Sequence, residues 1–217
     1  MVTVLLVDDH ALVRTGIRYI LDGTEGIEVV AEACDGDEAI LKARELNPDV
    51  ILMDVNMPGI GGLECTRKLL QINPDTRIIA LTVYVDEPYP SQLLDMGARG
   101  YLTKGCAVEE VVNAVIKVHS GERYLSEDVA RQLALSRISG NDRTPFNDLS
   151  QRELQVMIML TRGVKVQDIS DQLCISPKTV TTYRYRLYDK LKVKNDVEMT
   201  HLAMRYGMLT DEVSSHH

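Results

Sequence analysis

Val50-Ile51-Leu52-Met53-Asp54 is a short apolar run that ends on a carboxylate. Continuous apolarity over so few residues suits a strand buried on both faces. Similar runs occur at Val4–Val7, Val29–Ala33, Ile78–Thr82 and Gly100–Thr103. Between them lie segments with apolar residues at helical spacing: Ala11–Leu21, Asp37–Leu46, Leu63–Ile72 and Val108–Val118, with Leu93, Leu94 and Met96 suggesting a helix in the remaining gap. Strands alternating with helices predict a parallel sheet covered on both sides. Five such units fit a doubly wound α/β domain, whose ligand edge lies at the carboxyl ends of the strands.

Those strand ends are polar. Asp8-Asp9 closes the first strand, Asp54 the third, Thr82 the fourth and Lys104 the fifth. A parallel sheet brings these ends to one edge. Three carboxylates there repel one another, and a divalent cation relieves the conflict. Oxygen ligands with room for water suit Mg2+, and the backbone carbonyl of Asn56 can add another oxygen. In such a site Asp54 is placed to attack phosphorus and form an acyl phosphate. Lys104 would neutralise the transferring group, and the Thr82 hydroxyl would meet a phosphate oxygen. Tyr101, in the fifth strand, is placed to move with that threonine. Each residue alone is ordinary; their joint placement is what points to this chemistry.

Beyond residue 120 the rhythm breaks. Ser126 is placed to cap a helix carrying Val129, Leu133 and Leu135 on one face. Ser139-Gly140-Asn141-Asp142-Arg143-Thr144-Pro145 reads as a flexible linker. After it the pattern is wholly helical. Ser150 with Glu153 predicts a capping box opening Gln151–Thr161, which Gly163 ends. A short helix spans Val166–Leu173. Ser176 and Pro177 then open a longer one, Lys178–Leu191, and a fourth covers about Val197–Tyr206. The second and third of these make a helix-turn-helix pattern, whose second helix would lie in the major groove of double-stranded DNA. Val180, Leu187 and Leu191 should face the core. Thr181, Thr182 and Tyr185 are placed to reach bases, and Lys178, Thr179, Tyr183, Arg184 and Arg186 to hold phosphates.

The charge distribution supports this division. The net charge of −8 is not uniform. Residues 1–120 hold 10 Lys+Arg against 19 Asp+Glu, whereas residues 145–217 hold 10 against 9. Lys178 to Lys194 holds six bases and one acid. Such localised basicity is what a phosphate-facing surface requires. No apolar run approaches the roughly 18 residues of a membrane span. Met1 leads directly into the first strand, so a cytoplasmic chain without a signal peptide is expected. The scattered Cys34, Cys65, Cys106 and Cys174 suggest reduced thiols rather than a zinc site or disulfide.

The motifs Val7-Asp8-Asp9-His10, Met53-Asp54-Val55-Asn56-Met57-Pro58-Gly59, Thr82 and Tyr101-Leu102-Thr103-Lys104 resemble the receiver domain of bacterial response regulators. That resemblance covers about residues 3–119 and implies a flavodoxin-like (βα)5 fold. It implies Asp54 as phosphoacceptor, a magnesium site of Asp8, Asp9, Asp54 and the Asn56 carbonyl, and a switch of Thr82, Tyr101 and Lys104. Leu149-Ser150-Gln151-Arg152-Glu153, Ile169-Ser170-Asp171-Gln172-Leu173 and Ser176-Pro177-Lys178-Thr179-Val180 resemble the LuxR-type (NarL/FixJ) DNA-binding domain, over about residues 143–208. Residues 120–145 would be a partly helical connection. Ile60-Gly61-Gly62-Leu63-Glu64 and Tyr183-Arg184-Tyr185-Arg186 add a likeness to the GacA/UvrY branch. That branch implies a transcription regulator paired with a hybrid sensor histidine kinase and controlling small regulatory RNAs. A homodimer on two half-sites is the expected phosphorylated form.

Two other classes of function fit the residues less well. An aspartate-nucleophile phosphatase needs an acid two residues after its nucleophile, and Asn56 stands there. An orphan regulator binding DNA without phosphorylation would not need so complete an acidic site. The sequence also departs from the receiver pattern in two places. Gly105 rather than proline follows Lys104, so that turn is made differently. Pro88 and Pro90 fall where the fourth helix begins, which predicts a late or short helix. His10 follows the acidic pair but reads as a surface residue or helix cap rather than a ligand, His119 and His201 have no partner spacing, and His216 and His217 end the sequence after Ser214-Ser215, so none receives a role.

Overall fold

The structure is a computed structural model that describes residues 1–82, 89–138, 145–146, 148–173 and 175–206. Pro88, Cys174, Gly207, His216, His217 and residues 139–144 of the expected linker lie outside the described residues. The chain divides into two compact units, one ending at Ile138 and the other containing the helices that follow.

In the first unit, strands β1 (Val2–Val7), β2 (Ile27–Ala33), β3 (Val50–Asp54), β4 (Ile78–Thr82) and β5 (Gly100–Thr103) alternate with helices α1 (Ala11–Asp22), α2 (Gly36–Leu46), α3 (Gly61–Ile72), α4 (Tyr89–Met96) and α5 (Val108–His119). A two-residue strand, β6 (Tyr124–Leu125), and α6 (Glu127–Ile138) complete it. The sheet is parallel, in the order β2-β1-β3-β4-β5-β6. Side chains alternate between its two faces, and both faces are buried. Val4, Leu6, Val50, Leu52, Ile79 and Leu81 pack with Leu21, Val111, Val115 and Val118 of α1 and α5. Leu5, Val7, Ile51, Met53 and Ile78 pack with Ala39, Cys65 and Leu69 of α2 and α3. Two buried faces are why β3 is apolar at every position before Asp54.

Three local expectations change. Residues 124–138 belong to the first unit instead of a connection: Tyr124 pairs with Gly100 and Leu125 with Tyr101. A strand of two residues is too short to carry a periodicity in sequence. Ser126 precedes α6, but its hydroxyl is buried and makes no hydrogen bond, so it does not cap the helix. Of the apolar residues on α6, Val129 is buried while Leu135 is half exposed. The fourth helix, by contrast, is short as expected: eight residues, with Pro90 in its first turn where a missing N–H costs nothing.

The second unit holds α7 (Gln151–Thr161), α8 (Val166–Gln172), α9 (Pro177–Leu191) and α10 (Asp196–Arg205). The predicted capping box forms: the Glu153 N–H donates to Ser150 Oγ, and the Ser150 N–H donates to Glu153 Oε2 at 2.7 Å. Gly163 ends α7 in the left-handed region at φ 78°. Leu154, Met157, Ile169, Val180, Leu187, Met199 and Ala203 make the core, and Phe146 meets Tyr206 edge to face. Lys190 Nζ donates to Glu153 Oε2 at 2.7 Å, tying the end of α9 to the start of α7.

Gly62 is fixed by close approach. A Cβ there would lie 1.9 Å from the Asp54 carbonyl oxygen, so α3 packs directly on the backbone of β3. Gly16, in the middle of α1, has nothing within 4 Å. Gly62→Ala should therefore cost about 1–3 kcal/mol of receiver stability. Gly16→Ala should add about 0.5–1 kcal/mol. Urea unfolding of the full chain separates the two signs. The Glu153 carboxyl is 4% exposed. Burial by itself would raise its pKa, but hydrogen bonds from Lys190 and Ser150 leave it below the usual carboxylate range. A depressed folded-state pKa stabilises above the unfolded value, and that stability is lost as pH falls. Cooling of the melting midpoint of the helical unit on acidification from about pH 5 to about pH 3 should be shallower in Glu153→Gln, as read by circular dichroism.

Candidate functional site

The ends of β1, β3 and β5 meet at one sheet edge. Asp8 follows β1, Asp54 ends β3, and both side chains are wholly buried. Lys104 follows β5 and sends its ammonium between them, 2.7 Å from Asp54 Oδ2 and 2.8 Å from Asp8 Oδ2. Asp54 Oδ1 also accepts the backbone N–H of Asn56 at 2.9 Å. Burial pushes the Asp54 carboxyl up, against the opposing pull of Lys104 and the Asn56 amide. Burial alone would lower the Lys104 ammonium, but the two carboxylates outweigh it and hold its pKa above the usual lysine value.

Ligand atoms of Asp8, Asp9, His10 and Asp54 all lie within 4.8 Å of one another. Asp8 Oδ2 and Asp9 Oδ1 are buried and accept no hydrogen bond. Asp8 Oδ2 does face the Lys104 ammonium, but in ion-pair contact without hydrogen-bond alignment. Buried carboxylate oxygens left short of donors fit a hard divalent cation. Asn56 lies in the loop after β3, next to this cluster. His10, given no role from sequence, joins the cluster with Nδ1 2.8 Å from Asp9 Oδ1. Only its adjacency to the acidic pair could have signalled this.

Of the residues expected to form a switch, Thr82 and Lys104 lie at this edge. Thr82 ends β4 buried, and its carbonyl accepts the Lys104 N–H at 2.7 Å. Tyr101 is wholly buried in β5, opposite Ala80 of β4. The turn after β5 is closed by the Cys106 N–H donating to the Thr103 carbonyl at 3.0 Å, with Gly105 inside it.

In the second unit α8 and α9 form the helix-turn-helix. Ser176 caps α9 by accepting the Thr179 N–H at 3.1 Å, and Pro177 takes the first turn. Val180, Leu187 and Leu191 are buried, as their spacing predicts. Lys178, Thr182, Tyr185 and Arg186 are exposed, with Tyr185 at 66%. Thr181 and Thr182 donate to the carbonyls of Pro177 and Lys178 within the helix. Tyr183 is half-buried beneath the Arg186 guanidinium. Arg184 is turned inward. Its Nε donates to Asp196 Oδ1 at 2.9 Å and to the Tyr188 hydroxyl at 2.7 Å, and its second nitrogen also meets Asp196. A charge pattern cannot separate an outward arginine from one paired with an acid twelve residues away.

Arg184→Ala should therefore lower the stability of the helical unit by about 1 kcal/mol. It should leave the dependence of DNA affinity on salt unchanged. Lys178→Ala should flatten that slope by about one counterion. Binding titrations over a salt series, with thermal melts, give both results. A flattened slope for Arg184→Ala would mean that its guanidinium leaves Asp196 for a phosphate.

Residues 4–116 match the response regulator receiver domain family, and residues 147–203 match bacterial regulatory proteins of the luxR family. Response regulator GacA of Pseudomonas protegens is 53% identical over 209 residues, covering 96% of this chain and 98% of its own. Response regulator UvrY of Escherichia coli is 52% identical over 216 residues, covering 99% of each. The structure of RcsB from Salmonella enterica serovar Typhimurium, bound to promoter rprA in the presence of the phosphomimetic BeF3-, superposes with a TM-score of 0.65 at 26% identity, covering 93% of this chain and 97% of that one. With an acidic pocket at a receiver sheet edge and a capped helix-turn-helix in a separate unit, the chain belongs to the two-component response regulators with a LuxR-type DNA-binding domain, which are transcription regulators rather than enzymes.

Proposed function

We propose that phosphorylation of Asp54 switches the binding of this chain to double-stranded DNA. The observation that carries this is the fully buried Asp54 carboxylate, met by Lys104 at 2.7 Å beside two further carboxylates. An Asp54 oxygen attacks the phosphorus of the donor, the new O–P bond forms, and the donor's own bond to phosphorus breaks with its electron pair. Lys104 neutralises charge on the transferring group. Asp8, Asp9, Asp54 and the Asn56 carbonyl would hold Mg2+, which supplies charge neutralisation for the phosphoryl oxygens when bound. The phosphate gives the Thr82 hydroxyl a new acceptor, and Tyr101, next to β4, follows the threonine. Asn56 offers no acidic proton where a phosphatase would need one.

On the DNA side, Lys178, Thr179, Thr181, Thr182, Tyr183, Tyr185 and Arg186 line α9 as the reading and phosphate-holding surface. Arg184 supports that surface from behind through Asp196. Two copies joined after phosphorylation would present two such helices to paired half-sites. The motif likeness to the GacA/UvrY branch supports a hybrid sensor histidine kinase as donor. It also supports activation of small regulatory RNA genes as output. No described helix is long and apolar enough to cross a membrane, which suits the cytoplasmic location proposed here.

Labelled acetyl phosphate should mark the wild-type chain and leave Asp54→Asn unlabelled. At fixed salt, the donor should raise wild-type DNA affinity by about tenfold and leave Asp54→Asn unchanged. Label retained in Asp54→Asn would place the acceptor elsewhere. Equal wild-type affinities with and without donor would make the chain a DNA binder that phosphate does not govern.

A further inference from the structure

His10 begins α1, yet its side chain caps no helix amide. Its backbone N–H donates to Asp8 Oδ1 at 2.7 Å, which pins the residue against the acidic pocket. Its imidazole is exposed to 61% on one side, while Nδ1 points at the carboxylates: 2.8 Å from Asp9 Oδ1 and 3.3 Å from Asp8 Oδ1. Two ligands bound side by side on an octahedral ion, each with a bond of about 2.1 Å, lie about 3 Å apart. The two distances from Nδ1 bracket that spacing. Asp8 is wholly buried beside the imidazole, with Oδ1 toward His10 and Oδ2 in ion-pair contact with Lys104.

We infer that His10 Nδ1 is a further ligand of the divalent cation held by Asp8, Asp9 and Asp54, and that it biases the site toward late first-row transition ions over Mg2+. This rests on the acidic pocket being a cation site. Mg2+ takes hard oxygen donors and keeps its waters, so an imidazole adds little to its binding. Fe2+, Co2+ and Ni2+ accept imidazole readily and rank above Mg2+ in mixed nitrogen–oxygen sites. One exposed nitrogen at the rim therefore changes which ion the pocket prefers while leaving the oxygen set intact. Nδ1 already stands at ligand spacing from Asp9 Oδ1. The neutral tautomer protonated at Nε2 presents the lone pair inward.

Calorimetric titration of the full chain with Co2+ and, separately, Mg2+ tests this, using wild type, His10→Ala and Asp9→Asn. In His10→Ala, Co2+ affinity should fall about tenfold or more and Mg2+ affinity less than about twofold. The other histidines are present in every variant, so they do not enter the difference. Proton NMR of the Co2+ form should show a hyperfine-shifted imidazole N–H in wild type that His10→Ala lacks. An unchanged ratio of Co2+ to Mg2+ affinity in His10→Ala overturns the inference while the cation site stands. A rise in both affinities also overturns it, because His10 would then obstruct the site. If wild type bound neither ion, or Asp9→Asn bound both as wild type does, the cation site itself would fall and the inference with it.

Discussion

The ammonium of Lys104 between the carboxylates of Asp54 and Asp8 is the contact on which the receiver edge depends. Neighbouring parallel strands are about 4.8 Å apart. With the order β1-β3-β4-β5, Lys104 must reach across the end of β4 to meet residues on β3 and β1. Only a long, flexible cation does so. It ties three strand ends together and offsets charge that could not otherwise be gathered in a buried place. Thr82 lies under that bridge, with its carbonyl bonded to the Lys104 amide. A change in charge at Asp54 is therefore felt at β4 and β5 through one salt bridge and one backbone bond. The remaining negative charge is what the proposed cation would neutralise.

The helical unit solves a different problem. Its recognition helix must present one face outward and keep that face still. Apolar packing at Val180, Leu187 and Leu191 sets which side faces the core. Two ion pairs then limit rotation and tilt: Arg184 with Asp196 at α10, and Lys190 with Glu153 at α7. What remains outward is a stripe of Lys178, Thr182 and Tyr185 at helical spacing, with Arg186 beside it. The local excess of base seen in sequence is thus only partly turned outward. Two of its six bases brace the helix internally.

Much of this was legible in residue order alone. Strands buried on both faces announce themselves as unbroken apolar runs, so β1, β3 and β4 are plain in the sequence. Helix starts are chemical events, and Ser150, Glu153, Ser176 and Pro177 form the caps their types and spacing predict. Asp8, Asp9, Asp54 and Lys104 could be placed together because a parallel sheet has one carboxyl edge. Signals failed where no periodicity exists or where a partner is distant. β6 has two residues, Ser126 has the right type without the bond, and His10 gains its place only from the fold of the loop around it.

Sequence by itself determined the doubly wound sheet, the shared edge that collects the acidic residues and lysine, and the capped helix-turn-helix, because periodicity, strand-end position and capping are local or topological properties. Tertiary structure decided which charges face inward. Arg184 and Arg186 sit two residues apart on one helix with the same formal charge, yet one meets Asp196 and Tyr188 while the other stays exposed. His10 and His119 are both lone histidines, yet only His10 stands at ligand spacing from two carboxylates of the acidic pocket. The physical reason is common to both cases. A charged or ligating group takes its role from atoms a few ångströms away, and those atoms are brought there by other elements of the chain.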